Sequence, residues 1–139
     1  TFSEPLEAIF RQQKWSKVVA YFEFHGPGSF AGQHEDEPHI LTLIDVGVHR
    51  KGILLPSEFL TRFAHLPHAE LLHHGQFTPA LQRQVEDSTL PNMPPEGVIG
   101  KGDWFVSPGR PMMFKHKSRA WLARLRTKCS SDEEYQRLK

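Results

Sequence analysis

One carboxylate and three lysines fall on two short, apolar-flanked segments, Glu96-Gly97-Val98-Ile99-Gly100-Lys101 and Phe114-Lys115-His116-Lys117. In an extended chain side chains alternate, so Lys115 and Lys117 share one face. Two ammonium groups held together repel, and an anion between them relieves the repulsion. Each charge-assisted bond to a phosphate oxygen contributes about 1.5–3 kcal/mol. Glu96 follows Pro94-Pro95, which stiffens its position. A carboxylate there can bind a divalent cation or a ribose hydroxyl. The plainer alternatives are a solvated lysine face and an exposed loop acid. Glu23 stands inside the apolar run Val18–Phe24, where burial is costly without a partner. It either faces solvent at a strand end or faces a pocket and accepts hydrogen bonds from ligand hydroxyls. The glycine of His25-Gly26-Pro27 lets a ligand approach the backbone closely. The ligand such residues suit is anionic and carries hydroxyls, as a nucleotide does.

The elements that must position these residues are legible in outline. Ser3 to Phe10 reads as a helix, with Ser3 as its cap and Leu6, Ile9 and Phe10 on one face. Val18–Phe24 is a β-rich run, apolar on both faces except at Glu23. His25 to Gly32 is a glycine-punctuated loop, and Glu35-Asp36-Glu37 is a hairpin tip or connector. His39 to Val46 is a second strand. Pro56-Ser57 opens a helix with Phe59, Leu60, Phe63 and Ala64 on one face, closed by Pro67. Thr78-Pro79 opens another, carrying Leu81 and Val85. Leu90 to Pro95 is a rigid connector. Gly97–Lys101 and Met112–Lys117 are strands, with Trp104, Phe105 and Val106 between them. Apolar Met112-Met113-Phe114 predicts a central position for the second of these. Ser118 caps a helix with Trp121, Leu122 and Leu125 as core, and Ser131-x-x-Glu134 is a capping box. Strands and helices mix without βαβ alternation, so the fold class is α+β.

Composition bounds the partners. The chain's 139 residues fit one domain with a core of its own. Apolar residues make up 38% and charged residues 24%, ordinary values for a globular protein. A formal net charge of +1 gives no bulk attraction to nucleic acid, so any such contact rests on local patches. No apolar run approaches the roughly 20 residues that span a bilayer, and no signal peptide is visible, so no membrane partner is expected. The single cysteine, Cys129, makes no internal disulfide and suits a reducing, cytoplasmic or otherwise intracellular compartment.

Taken together, the segments resemble the covalent nucleotidyltransferase superfamily of ATP-dependent RNA and DNA ligases and mRNA capping enzymes, with the RNA ligases the nearer branch. Tyr21-Phe22-Glu23-Phe24-His25-Gly26 is similar to the family's strand with a Glu before a Gly-containing loop. Leu43-Ile44-Asp45-Val46 is similar to the strand ending in Asp, with Ile44 where the family has an aromatic that stacks on the base. Glu96 to Lys101 matches the Glu-Gly-Val-Val-x-Lys motif, and Lys115 and Lys117 match Lys-x-Lys. The match spans roughly Val18 to Trp121. The resemblance implies a nucleotide-binding site of Glu23, Ile44, Lys101, Lys115 and Lys117. Glu23 would bind ribose hydroxyls and Glu96 would help hold magnesium. Lys115 and Lys117, catalytic with Glu96, would contact the α-phosphate and offset charge in the transition state. The implied fold is part of a nucleotidyltransferase (ATP-grasp-like) catalytic domain, antiparallel sheets with flanking helices. The implied partners are ATP or AMP with Mg2+, and nucleic acid, RNA before DNA. The implied reaction joins nucleic-acid ends through an adenylylated intermediate.

The family's nucleophile is a lysine in a Lys-x-Asp/Asn-Gly element upstream of these motifs. Lys14 and Lys17 lack the glycine, and Lys101-Gly102-Asp103 does not fit the pattern. The expectation is therefore a single domain, 1–139, that lacks the nucleophile-bearing segment and corresponds to the C-terminal part of a catalytic domain. A separate polypeptide is one source of the missing lysine. A non-catalytic nucleotide- or nucleic-acid-binding module of the same fold is the alternative.

Two further patterns carry less. His65-x-x-His68, His73-His74, His34 and His39 are close in sequence, but a zinc site needs three or four converging ligands. Pro67 separates His65 from His68, so loop histidines facing solvent are expected. Arg119, Arg124, Arg126 and Lys128 spread around their helix, which suits a solvated face as well as a nucleic-acid backbone.

Overall fold

The computed structural model describes residues 2–29 and 35–139. Phe30 to Gly32 of the expected loop, and His34, lie outside the described residues. Two small antiparallel sheets and five α-helices make up the described residues, a mixed α+β arrangement as the sequence predicts. The order is α1 (Ser3–Gln12), β1 (Val18–His25), β2 (Ile40–Val48), β3 (Gly52–Ile53), α2 (Pro56–Phe63), α3 (Pro79–Glu86), β4 (Gly97–Ser107), β5 (Arg110–Lys117), α4 (Arg119–Lys128) and α5 (Asp132–Leu138). The described residues fall into two compact units. The first draws on residues 2–27, 35–70 and 101–112, the second on 28–29, 71–100 and 113–139.

In the first unit β1, β2 and β3 form one sheet in that order. Its inner face packs Leu43, Val46 and Val48 against Leu6 of α1, Leu54, and Phe59 and Phe63 of α2. The spacing of those β2 residues is informative. Strict alternation from Val48 and Val46 would put Ile44 in the core. The register instead skips from Tyr21↔Asp45 to Phe22↔Leu43, leaving Ile44 as the extra residue of a β-bulge. The bulge keeps Leu43 fully buried and moves Ile44 to an intermediate position.

The apolar run of β1 predicts burial on both faces, and the sheet buries only one. Val18, Ala20 and Phe22 pack on the core. Val19 and Tyr21 on the other face are 55% and 42% exposed. α1 also departs from expectation at its start. Ser3 is its first residue, Phe2 occupies the cap position, and no side chain caps it.

In the second unit Leu81 and Val85 of α3 and Trp121 and Leu125 of α4 are buried. Thr78 caps α3 and Ser118 caps α4, each hydroxyl accepting from the amide three residues on. β4 runs through Trp104, Phe105 and Val106 rather than ending before them. β5 pairs only with β4 in a two-stranded sheet, so among the described residues it is not the central strand expected. The capping box at α5 is half formed. Ser131 accepts from the Glu134 amide, but the Glu134 carboxylate turns to the amide and hydroxyl of Ser130.

Candidate functional site

Glu96 and Lys117 meet at the open end of the β4–β5 hairpin. The Lys117 ammonium donates to Oε1 of Glu96, across 21 residues of sequence. Three features fix that meeting. The Ser118 amide donates to the Glu96 carbonyl at 3.0 Å. The Ser118 hydroxyl, wholly buried, donates to the Pro95 carbonyl at 2.6 Å. Gly97 adopts φ +136° with its Cα against the His116 carbonyl and the Lys117 backbone, a place where a Cβ does not fit. The Lys117 ammonium also lies 4.5 Å from the ring centre of Trp121, a cation–π arrangement. Its side chain is only 14% exposed, against 47% for Glu96.

Lys115 points with Lys117 to one side of β5, as alternation requires. Its side chain is exposed and has no ion-pair or hydrogen-bond partner among the described residues. Phe114 and His116 point the other way, where Phe77 meets both rings edge-on at 4.8 and 5.5 Å. A depression of about 440 Å³ opens beside the strand end, lined by Glu86, Lys115, His116, Lys117, Arg119, Leu122 and Lys139. Glu86 is its one acid. His116 and Arg119 both contact that carboxylate, and Arg119 also holds Asp87 at 2.6 Å. The bond from Gln82 leads the causes that hold the Glu86 carboxyl below its ordinary range; His116 and Arg119 add to it and desolvation opposes it. Most of its charges are paired: Lys117 with Glu96, and Arg119 with Glu86 and Asp87.

This Glu86–Arg119–Asp87 cluster is what sequence reasoning missed. One signal was available. Two carboxylates at the C-terminal end of α3 oppose the helix dipole and call for a cation nearby.

The first unit holds the other expected residues. Lys101 donates to Oδ1 of Asp45 at 2.7 Å and to the Ile44 carbonyl at 2.9 Å, and its ammonium lies 5.9 Å from the Phe59 ring centre. Lys101 is thus spent on the β2 bulge and on Asp45. Asp45 pairs with Tyr21 across the sheet, so both stand on the open face. Glu23, opposite Thr42, is on that face as well, exposed and with no side-chain partner among the described residues. Ile44 presents its carbonyl to Lys101 while its side chain is half-buried. The structure therefore brings Glu96, Lys115 and Lys117 together in one unit, and Glu23, Ile44, Asp45 and Lys101 in the other.

The donor set fits phosphate better than it fits a metal alone. Lys115 and Lys117 present ammonium groups on one side of a strand, suited to phosphoryl oxygens. No group of three or more His, Cys, Asp or Glu placed to hold a metal exists among the described residues. Glu96 supplies one carboxylate. Magnesium accepts one or two carboxylates when phosphate oxygens and water complete its octahedron, so the residues fit the ion only together with a phosphate ligand. No helix among the described residues is long and apolar enough to cross a membrane. No family model, no curated protein and no solved structure matches the chain.

Proposed function

We propose that this chain carries the nucleotide- and phosphate-holding residues of an RNA-ligase-like nucleotidyltransferase, working on ATP or AMP with magnesium and on nucleic-acid ends, RNA before DNA. The observation that carries the reading is the meeting of Glu96 and Lys117 at one hairpin end, with Lys115 exposed on the same side of β5 and without a side-chain partner among the described residues. Two motifs matched separately in sequence need to meet in space for that chemistry, and these do.

In this reading Lys115 and Lys117 bind the α-phosphate and oppose the charge that grows on it, which is electrostatic catalysis. Glu96 contributes a carboxylate to magnesium, whose chemistry is to neutralise phosphate charge when bound. The resemblance implies ribose hydroxyls for Glu23, which stands on the open sheet face of the first unit. Lys101 takes a different part from the one its motif implies. Its ammonium is bound to Asp45 and the Ile44 carbonyl, so it supports the β2 bulge. An intracellular location accords with ATP as ligand.

Ligation also needs a nucleophilic lysine, and residues 1–139 offer no Lys-x-Asp/Asn-Gly element. The closed Lys117–Glu96 and Lys101–Asp45 pairs favour a second reading, a nucleotide- or nucleic-acid-binding module without catalysis. One experiment separates these. AMP binding to the chain is measured by calorimetry for the native protein, Lys115→Ala and Lys117→Ala. Each variant should weaken binding about tenfold, the loss of one charge-assisted contact. Unchanged affinity in both removes the phosphate-contact role. Incubation with labelled ATP and magnesium then divides the two readings. A covalent AMP adduct on the chain decides for catalysis by these residues alone, and its absence leaves nucleotide holding.

A further inference from the structure

We propose that the open edge of β1 docks a second copy of this chain. The two β1 strands pair antiparallel about a twofold axis at Ala20 and join two three-stranded sheets into one of six strands. The inference concerns the first unit alone and does not depend on the nucleotide reading.

The sheet treats its two edges differently. The far side of β2 is closed from Leu43 to Val48. β3 there is only two residues long, and the Ile53 amide donates to the Gly109 carbonyl. The Leu43 amide donates to the Pro67 carbonyl, and the Leu43 carbonyl accepts from the Ala69 amide. The Val46 and Val48 carbonyls accept from the Leu54 and Lys51 amides. Opposite residues of an antiparallel ladder either exchange both bonds or both turn away. Leu43, Val46 and Val48 turn away from β1, so Phe22, Ala20 and Val18 opposite them send their N–H and C=O groups outward. The Lys17 carbonyl, one residue out of phase, accepts from His49 across the sheet and confirms the alternation. The outward groups of Val18, Ala20 and Phe22 have no partner among the described residues.

Such an edge is a template for another strand, and proteins blunt it with proline, lysine or a bulge. Residues 18–24 contain no proline and no lysine, and the extra residue of the bulge is on β2. Val19 and Tyr21 stand exposed beside the open edge.

The occupant that fits best is the same strand. Outward groups sit on even-numbered residues, so a symmetric pair must join even to even. Centring on Ala20 bonds Val18 to Phe22 of the second copy and Ala20 to its own equivalent. On the open face, Val19 then stands opposite Tyr21 of the second copy, and Lys17 opposite Glu23 of the second copy. The twofold axis repeats both pairs. An aromatic with a β-branched residue, and opposite charges, are favourable directly opposite each other. Lys17 and Glu23 are exposed and have no ion pair among the described residues, so each is available. The neighbouring registers lose this match. Centred on Tyr21, Val19 meets Glu23; centred on Val19, Tyr21 meets Lys17. Ala20 has the smallest side chain of β1, so no bulky strand residue crowds the axis. One ammonium leaves the Glu23 carboxylate further lone pairs, so the pairing is compatible with a ligand hydroxyl there. A strand edge belongs to the small class of interfaces, so the association is weak and concentration-dependent.

Sedimentation equilibrium of the intact chain, in a series reaching the millimolar range, should show monomer and dimer and nothing larger. Amide hydrogen exchange reads the edge itself. The Val18, Ala20 and Phe22 amides should gain protection as the dimer fraction rises, while those of Val19 and Tyr21, bonded to β2, are protected throughout. Lys17→Glu and Glu23→Lys, both at exposed positions, should each weaken self-association about tenfold, because each sets two like-charge pairs at the interface. Mixed together, the two variants should associate with each other as tightly as the native chain does with itself. In a Cys129→Ser background, Val19→Cys mixed with Tyr21→Cys should form an intermolecular disulfide that neither forms alone. A chain that stays monomeric throughout the series overturns the proposal, and so do open-ended oligomers. A dimer that both charge variants form as tightly as native overturns it, as does one in which the Ala20 and Phe22 amides exchange as fast as in the monomer. Disulfides formed by either cysteine variant alone as readily as by the mixture overturn the axis at Ala20.

Discussion

The Lys101 ammonium lies 2.7 Å from the Asp45 carboxylate although 56 residues separate them, and it also takes the carbonyl of Ile44. The bond ties β4 to the bulge of β2. A bulge leaves a ladder group without its usual partner, and an unpaired carbonyl beside a half-buried carboxylate is costly. Lys101 satisfies both with one group. Its motif in sequence suggests ligand contact, and its geometry gives it a supporting task.

That task makes a stability prediction. Lys101→Met removes both bonds while keeping an apolar stem near Phe59. The side chains of Lys101 and Asp45 are 27% and 14% exposed, so solvent screening reduces the contribution. A double-mutant cycle of Lys101→Met with Asp45→Asn, read by urea denaturation, should give a coupling of about 1 kcal/mol. A coupling near zero would mean that the bulge stands without the pair.

Ser118 is the second point of leverage. Its hydroxyl donates to the Pro95 carbonyl and accepts from the Trp121 amide at 3.1 Å, and the side chain is wholly buried. Ser118→Ala leaves a helix-end amide and a carbonyl without partners at once. The cost should be about 2 kcal/mol in urea denaturation, the sum of a lost cap and an unsatisfied buried group. A loss below about 0.5 kcal/mol, ordinary for a surface substitution, would remove Ser118 as the anchor of the Glu96 segment.

These two residues show where the sequence was readable. Ser118 announces itself, because a serine before Trp121, Leu122 and Leu125 is a local cap signal. The meeting of Glu96 and Lys117 was within reach for a similar reason. The Pro108-Gly109 turn folds neighbouring strands back on each other, so both ends of a hairpin come together. The bulge at Ile44 left no such trace. Leu43 and Ile44 are both apolar, and period-two reading cannot tell which of them faces the core. The open outer face of β1 was hidden by composition, since Val19 and Tyr21 read as buried whether or not anything covers them. The Arg119 bonds to Glu86 and Asp87 depend on how α3 and α4 come together inside their unit, and long-range charge pairs have no period in sequence.

Gly97 carries the third prediction. At φ +136° an L side chain is strained, and a Cβ would run into the His116 carbonyl and stand 2.8 Å from the Lys117 Cα. Those contacts are backbone, so they cannot swing aside. Gly97→Ala should cost about 2 kcal/mol or more in stability, from strain of about 1–3 kcal/mol plus displaced strand ends. Phosphate binding should fall with it, because Glu96 and Lys117 no longer meet. Chemical denaturation and a phosphate titration on the same sample check both halves. Full phosphate affinity in a destabilised Gly97→Ala protein would detach the anion site from this hairpin geometry.

The start of α5 supplies a pH-dependent readout independent of the site. The Ser130 hydroxyl donates to the Glu134 carboxylate at 2.6 Å and the Ser130 amide at 2.7 Å. The hydroxyl bond is the largest cause holding the Glu134 carboxyl below its ordinary value; the amide bond and Arg137 lower it further, and desolvation opposes them. A carboxyl depressed in the folded state stabilises that state at pH above its unfolded value. The contribution begins to fade at the ordinary carboxylate value and is gone once pH has passed below the depressed one. The Ser130 amide resonance should therefore shift with pH below the ordinary carboxylate range, in a single titration. Glu134→Gln keeps an acceptor oxygen but cannot titrate, so its Ser130 resonance should stay flat through the same window. A Ser130 titration that survives Glu134→Gln would assign the signal to another acid and undo the half-formed capping box.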